Sequence, residues 1–147
     1  MPDQSFRTML ANLEQQGELI RFEKEVDPLT NMAAVQYRAY NERGKASLFT
    51  NIAGHDGWKA CSQIIADRRK WAIGLGIDEN ALLNEISARV QQTIDTTTID
   101  AKSAPCKEFI QTGSDVDIHD IPSLMTSEQD GGRYLASGIL VVRDPET

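Results

Sequence analysis

The chain has 147 residues, 40% hydrophobic and 25% charged, with a net charge of −7. That length suits one domain burying roughly two-thirds of its unfolded surface, and the composition is globular rather than disordered. The acidic balance disfavours non-specific nucleic-acid binding, no apolar run approaches the ~20 residues that span a bilayer, and Met1-Pro2-Asp3-Gln4 is no signal peptide; a soluble cytoplasmic protein is expected.

Phe6, Met9, Leu10 and Leu13 recur at helical spacing, with Asp3 or Ser5 as cap and Gly17 as stop, and predict a first helix. Glu18 to Lys24 alternates and predicts a strand that this helix covers. After the Asp27-Pro28 turn, Thr30 is expected to cap a second helix with Met32, Val35, Ala39 and Tyr40 on one face, closing at Arg43-Gly44. Ser47 to Ile52 and Lys59 to Ile65 predict two short strands, separated by Gly54-His55-Asp56-Gly57. Asp67 caps a short helix through Trp71, Ala72 and Leu75. Asp78 caps another from Glu79 to Val90, with Leu82, Leu83, Ile86 and Val90 inward. This alternation predicts an α/β domain over residues 1–92.

Residues 93–104 are polar and threonine-rich and read as a linker. Pro105 to Gln111 predicts a strand, Gly113-Ser114-Asp115 a turn, and Asp115 to Pro122 an acidic irregular connection. Gly131-Gly132 then launches an apolar run from Tyr134 to Val142, which Arg143-Asp144-Pro145 stops. A strand there has its next partner unsupplied, so residues 105–147 are expected to begin a second, incomplete domain.

No nucleophile elbow, P-loop, HExxH or GxGxxG occurs. Gly74-Leu75-Gly76 follows a helix and reads as its end. Cys61 and Cys106 lack CxxC spacing and are expected to be reduced, in or near the core. His55 and His119 read as solvated loop residues rather than zinc ligands. Asp115, Asp117 and Asp120 lack EF-hand spacing. Arg68-Arg69-Lys70 reads as a solvated helix face. Asp130-Gly131-Gly132 could turn backbone amides towards an anion, although an ordinary tight turn is the first reading. The residues alone give a fold class and no active site.

Several segments, however, resemble one family in order and spacing. Phe6 to Pro28, including Leu13-Glu14-Gln15-Gln16-Gly17-Glu18-Leu19-Ile20, resembles the opening of the UbiD-type decarboxylases. Ser47 to Gly54 resembles their "LFxNxxG" strand and turn, and Arg69 to Asp78 their helix leading to "LGxD". Ala104-Pro105-Cys106, Thr112 to Asp117 and Ile121-Pro122 resemble "APC…GDDVDL…IP". Asp130 to Tyr134, Gly138 and Arg143-Asp144-Pro145 resemble "DGGxY…G…V.RDP". The resemblance covers essentially the whole chain.

It implies an N-terminal α/β domain followed by the first strands of a split β-barrel that binds flavin. It also implies a carboxy-lyase acting on an aromatic, heteroaromatic or α,β-unsaturated acid through prenylated FMN, with Mn2+ and K+ nearby. Such cofactors carry the hard chemistry while the protein positions them. Relatives often place a threonine near the flavin two residues before the glycine equivalent to Gly138. Ala136 holds that place here, so the implied contact passes to Ser137. The family's metal ligands and proton-transfer groups follow the "RDP" turn, so no catalytic or metal-binding residue is assigned and the chain alone is expected to be inactive. Homo-oligomerisation is implied for the full-length protein only. The alternative is a non-enzymatic module that pairs with a full-length decarboxylase or another partner through its exposed strand. A small flavin reductase fits poorly, because a complete split barrel needs more strands than follow Ala104.

Overall fold

The computed structural model describes Asp3 and residues 5–135. Helix α1 (Phe6–Gln15) starts where the Ser5 hydroxyl accepts the Thr8 amide at 3.3 Å. It ends before Gly17, whose φ of +70° turns the chain towards the sheet. Strand β1 (Leu19–Phe22) follows, then helix α2 (Met32–Arg43), which Gly44 terminates in the left-handed region. Strands β2 (Ala46–Phe49) and β3 (Ala60–Ser62), then helices α3 (Arg68–Leu75) and α4 (Leu82–Val90), complete the regular elements. The mixed α/β architecture is the one the sequence predicts.

The sheet runs β1-β2-β3, with β2 parallel to β1 and antiparallel to β3. A parallel pair needs a long crossover, and α2 supplies it. All four residues of β2 are buried because that strand lies in the middle and is covered on both faces. Alternation divides the core in two. On one face Leu19, Ala46 and Leu48 pack with Leu13 of α1 and Ile73 of α3. On the other, Phe49 packs with Val26, Met32 and Ile52, and its ring stacks on Phe22 with centroids 5.2 Å apart. Gly74 brings α3 close to α1: a Cβ added there would lie 2.9 Å from the Met9 methyl.

Residue 124 belongs to this second cluster. Leu124 packs against it, the Met125 amide donates to the Pro28 carbonyl at 2.9 Å, and Tyr134 pairs back onto Leu124 as an antiparallel bridge. The later segment is thus docked on the opening of α2.

Several expectations need correction. Thr30 does not cap α2. The helix begins after Asn31, whose side chain caps no helix amide; a turn precedes it, in which the Asp27 carbonyl accepts the amides of Thr30, Asn31 and Met32, its carboxylate accepts the Leu29 amide at 2.7 Å, and Asn31 Oδ1 accepts the Asp27 amide. Pro105 to Gln111 is not a strand: Pro105–Lys107 forms a single 3-10 turn, and Phe109 and Ile110 are exposed, with no strand beside them among the described residues. A β-prone run without a partner has no ladder to join. In α4 only Leu82 is buried, while Leu83 and Val90 face solvent, because that helix packs mainly on α3. Cys106 is exposed, whereas Cys61 is half-buried, and both are free thiols. Beyond Tyr134 and Leu135, the predicted strand lies outside the described residues.

Candidate functional site

Three places gather chemistry. The first is a buried charge cluster where α1, α2 and α3 converge. Lys70, predicted on a solvated face, is instead 1% exposed. Its ammonium donates to the Gly44 carbonyl at 2.7 Å and to the Asp67 carboxylate, and it lies 3.8 Å from Glu18. Glu18, also buried, accepts from Arg69 at 2.8 Å and faces Lys45 at 3.3 Å. Burial would push the Asp67 carboxyl up, but hydrogen bonds from the Lys70 side chain and amide outweigh it and hold it below the usual range. Each charge has a partner, and the tip of Lys70 reaches no solvent. This is an arrangement that locks three elements together rather than one that reacts.

The second place is a cleft of about 750 Å³ on the α1 side of the sheet. Its floor includes the cross-strand row Arg21–Leu48–Cys61, fixed by the strand register. That row lies towards the carboxyl ends of the parallel pair, where open α/β sheets usually bind ligands. Helix α1 contributes Phe6, Arg7 and Leu10, and the loop before β3 contributes Trp58 and Lys59. The Arg21 guanidinium donates twice to Glu14, at 2.8 and 2.6 Å, and these bonds hold that carboxyl below its ordinary value. Burial pushes the Cys61 thiol up, so it stays protonated. Trp58, Lys59 and Arg7 carried no sequence motif; only their position after or beside parallel strands marks them.

The third place is the Leu124–Tyr134 hairpin leading towards Ser137. Asp130 accepts the Thr126 and Ser127 amides at 3.2 and 2.8 Å, so its carboxylate stabilises the turn it belongs to. Ser137, the expected flavin contact, lies outside the described residues. Of the other candidates, His55 and Asp120 come within contact distance. Asp117 caps its own 3-10 turn, and Asp120 accepts from Gln111 at 3.0 Å. His55 Nδ1 sits 3.3 Å from the Asp120 carbonyl. Among the described residues no group of three His, Cys, Asp or Glu could hold a metal ion. Among the described residues, the two buried polar atoms without a partner, Gln36 Oε1 and Ser47 Oγ, belong to α2 and β2 and make no flavin cradle. The described residues therefore do not fit the flavin or its metal.

A family model described as the 3-octaprenyl-4-hydroxybenzoate carboxy-lyase N-terminal domain matches residues 10–90, more than half of the chain. The chain belongs to the UbiD family. A second model, the Rift-related domain of the same carboxy-lyase, matches residues 97–147. Among curated relatives of this UbiD chain is the phenolic acid decarboxylase of Sedimentibacter hydroxybenzoicus, 30% identical across 95% of the chain and 30% of the relative. The UbiD-class enzyme HmfF from Pelotomaculum thermopropionicum, solved as an evolved dimeric form with prFMN, superposes with a TM-score of 0.82 at 28% identity, covering 99% of this chain and 33% of that one. The vanillic acid decarboxylase of Sedimentibacter hydroxybenzoicus in open form gives 0.77 at 28% identity, covering 90% and 30%. The chain thus spans about 30% of the length of the relatives it matches.

Proposed function

We propose that this chain is the N-terminal part of a UbiD-type carboxy-lyase that removes carboxylate from an aromatic, heteroaromatic or α,β-unsaturated acid. The observation carrying the proposal is continuous likeness to the prFMN-bound HmfF structure over 99% of the chain. When bound, prenylated FMN would supply the electron sink that such a decarboxylation needs. The flavin, Mn2+ and K+ would be held by residues other than the described ones, with Ser137 as the contact nearest to hand. Residues 1–92 would form the N-terminal domain, 93–104 the linker and 105–147 the start of the flavin domain. The full-length protein would be a cytoplasmic homo-oligomer.

The test is CO2 release from a panel of aromatic and cinnamic-type acids with prenylated FMN and Mn2+. The isolated chain should release none, and a version joined to the rest of a UbiD polypeptide should be active. An inactive joined protein that binds the flavin would overturn the reading. The second reading, a module that pairs with a full-length decarboxylase, is favoured by the exposed Phe109, Ile110, Val116 and Ile118. It predicts a defined complex when the chain is mixed with such an enzyme.

A further inference from the structure

The cleft beside α1 has the make-up of a small-molecule site. Its volume of about 750 Å³ falls within the range of about 300–1,000 Å³ typical of ligand pockets, which combine an apolar lining with a few placed polar groups. Leu10, Leu48 and Ala60 give the apolar part, while one aromatic ring comes from the helix (Phe6) and one from the loop (Trp58). Both rings are about half exposed, which leaves their faces available.

Charge decides the class of ligand. Arg7, Arg21 and Lys59 line the cleft against Glu14 and Asp56, a positive excess on a molecule whose net charge is −7. Arg21 is committed to Glu14. Arg7 and Lys59 form no ion pair among the described residues. Two uncommitted cations beside aromatic rings suit a flat ring that carries a negative group.

We propose that this cleft binds a small planar aromatic anion, its ring against Phe6 and Trp58 and its anionic group towards Arg7 and Lys59. The Cys61 thiol in the floor is protonated and adds no opposing charge. An aryl carboxylate and a nucleoside monophosphate share this chemistry. The proposal does not depend on the decarboxylase reading, since binding is measured on the chain itself.

The experiment titrates the chain with 4-hydroxybenzoate and, separately, with AMP, with benzamide and cyclohexanecarboxylate as probes lacking the charge or the aromatic ring. One anion or both should shift the Trp58 indole NMR signal saturably, leave that of Trp71 unmoved, and slow alkylation of Cys61 but not of exposed Cys106. Whichever anion does so identifies the source. The surface double variant Arg7→Gln/Lys59→Gln should bind about tenfold more weakly, with an unchanged Trp71 signal reporting an intact fold. The proposal is overturned if neither anion shifts Trp58 at millimolar concentration, if benzamide or cyclohexanecarboxylate binds as well, or if the double variant binds undiminished.

Discussion

Lys70 shows how a single side chain can hold three elements. Its ammonium satisfies the end of α2 through the Gly44 carbonyl and meets carboxylates from the start of α3 and the turn after α1. A buried charge pair adds little over an apolar pair, but removing one partner is costly. Lys70→Met should therefore destabilise the fold by about 2–3 kcal/mol, through the stranded Gly44 carbonyl and the Asp67 carboxylate left without its cation, as a lower urea midpoint would show. The pH dependence follows from Asp67. Its carboxyl is depressed in the fold, so its contribution is fully present above the unfolded value, near pH 4, and is lost as pH falls through the lower folded value. Wild type should lose stability more steeply than Lys70→Met below about pH 4. Equal slopes would remove the Asp67–Lys70 pair as the cause. None of this was visible in Arg68-Arg69-Lys70 as a string: burial of the third residue depends on Glu18 and Gly44, which lie 52 and 26 positions away.

Elements whose signals are local were the readable ones. Ser5, Asp67 and Asp78 each accept a backbone amide two or three residues ahead, and each stood out in the sequence as a cap. Strand register, by contrast, needs a neighbour. The alternating residues before Phe22 and the run before Ile52 became strands because they found each other, whereas Pro105 to Gln111 has similar β-prone residues and no partner edge. The start of α2 departs from the sequence reading for a subtler reason: Thr30 has a capping side chain, but its amide is drawn into the turn on the Asp27 carbonyl and the helix begins only after Asn31. The caps should also separate by energy. Ser5→Ala loses a solvent-exposed cap and should cost about 1 kcal/mol. Asp67→Ala loses a cap and the carboxylate of Lys70 together, and should cost roughly 2–4 kcal/mol. Chemical denaturation of the two variants side by side checks the order; a larger loss for Ser5→Ala would contradict the account.

At the scale of the molecule, the two family matches, residues 10–90 and 97–147, meet across a polar stretch without regular helix or strand from residue 92 to residue 100. No described helix is long and apolar enough to cross a membrane. The two matched segments meet where Leu124 and Met125 seat on Pro28 and the Met32–Phe49 cluster, and again where His55 lies against the Asp120 carbonyl. Limited proteolysis should nick the chain within residues 93–104, and the two pieces should co-elute natively and separate only in denaturant. Separation without denaturant would mean that the Leu124 contact is too weak to hold them. The reading of residues 93–104 as a linker rests on their lack of pattern alone, the return of the chain to Pro28 has no local sign, and the expected flavin contact at Ser137 rests on resemblance.

That return contact also sets an order of events during synthesis. Pro28 and Met125 are 97 positions apart, so a ribosome adding ~5–20 residues per second needs about 5–20 s to make one after the other. Throughout that interval the apolar surface awaiting Leu124 is open to water and to other nascent chains. A slower ribosome lengthens that interval in proportion.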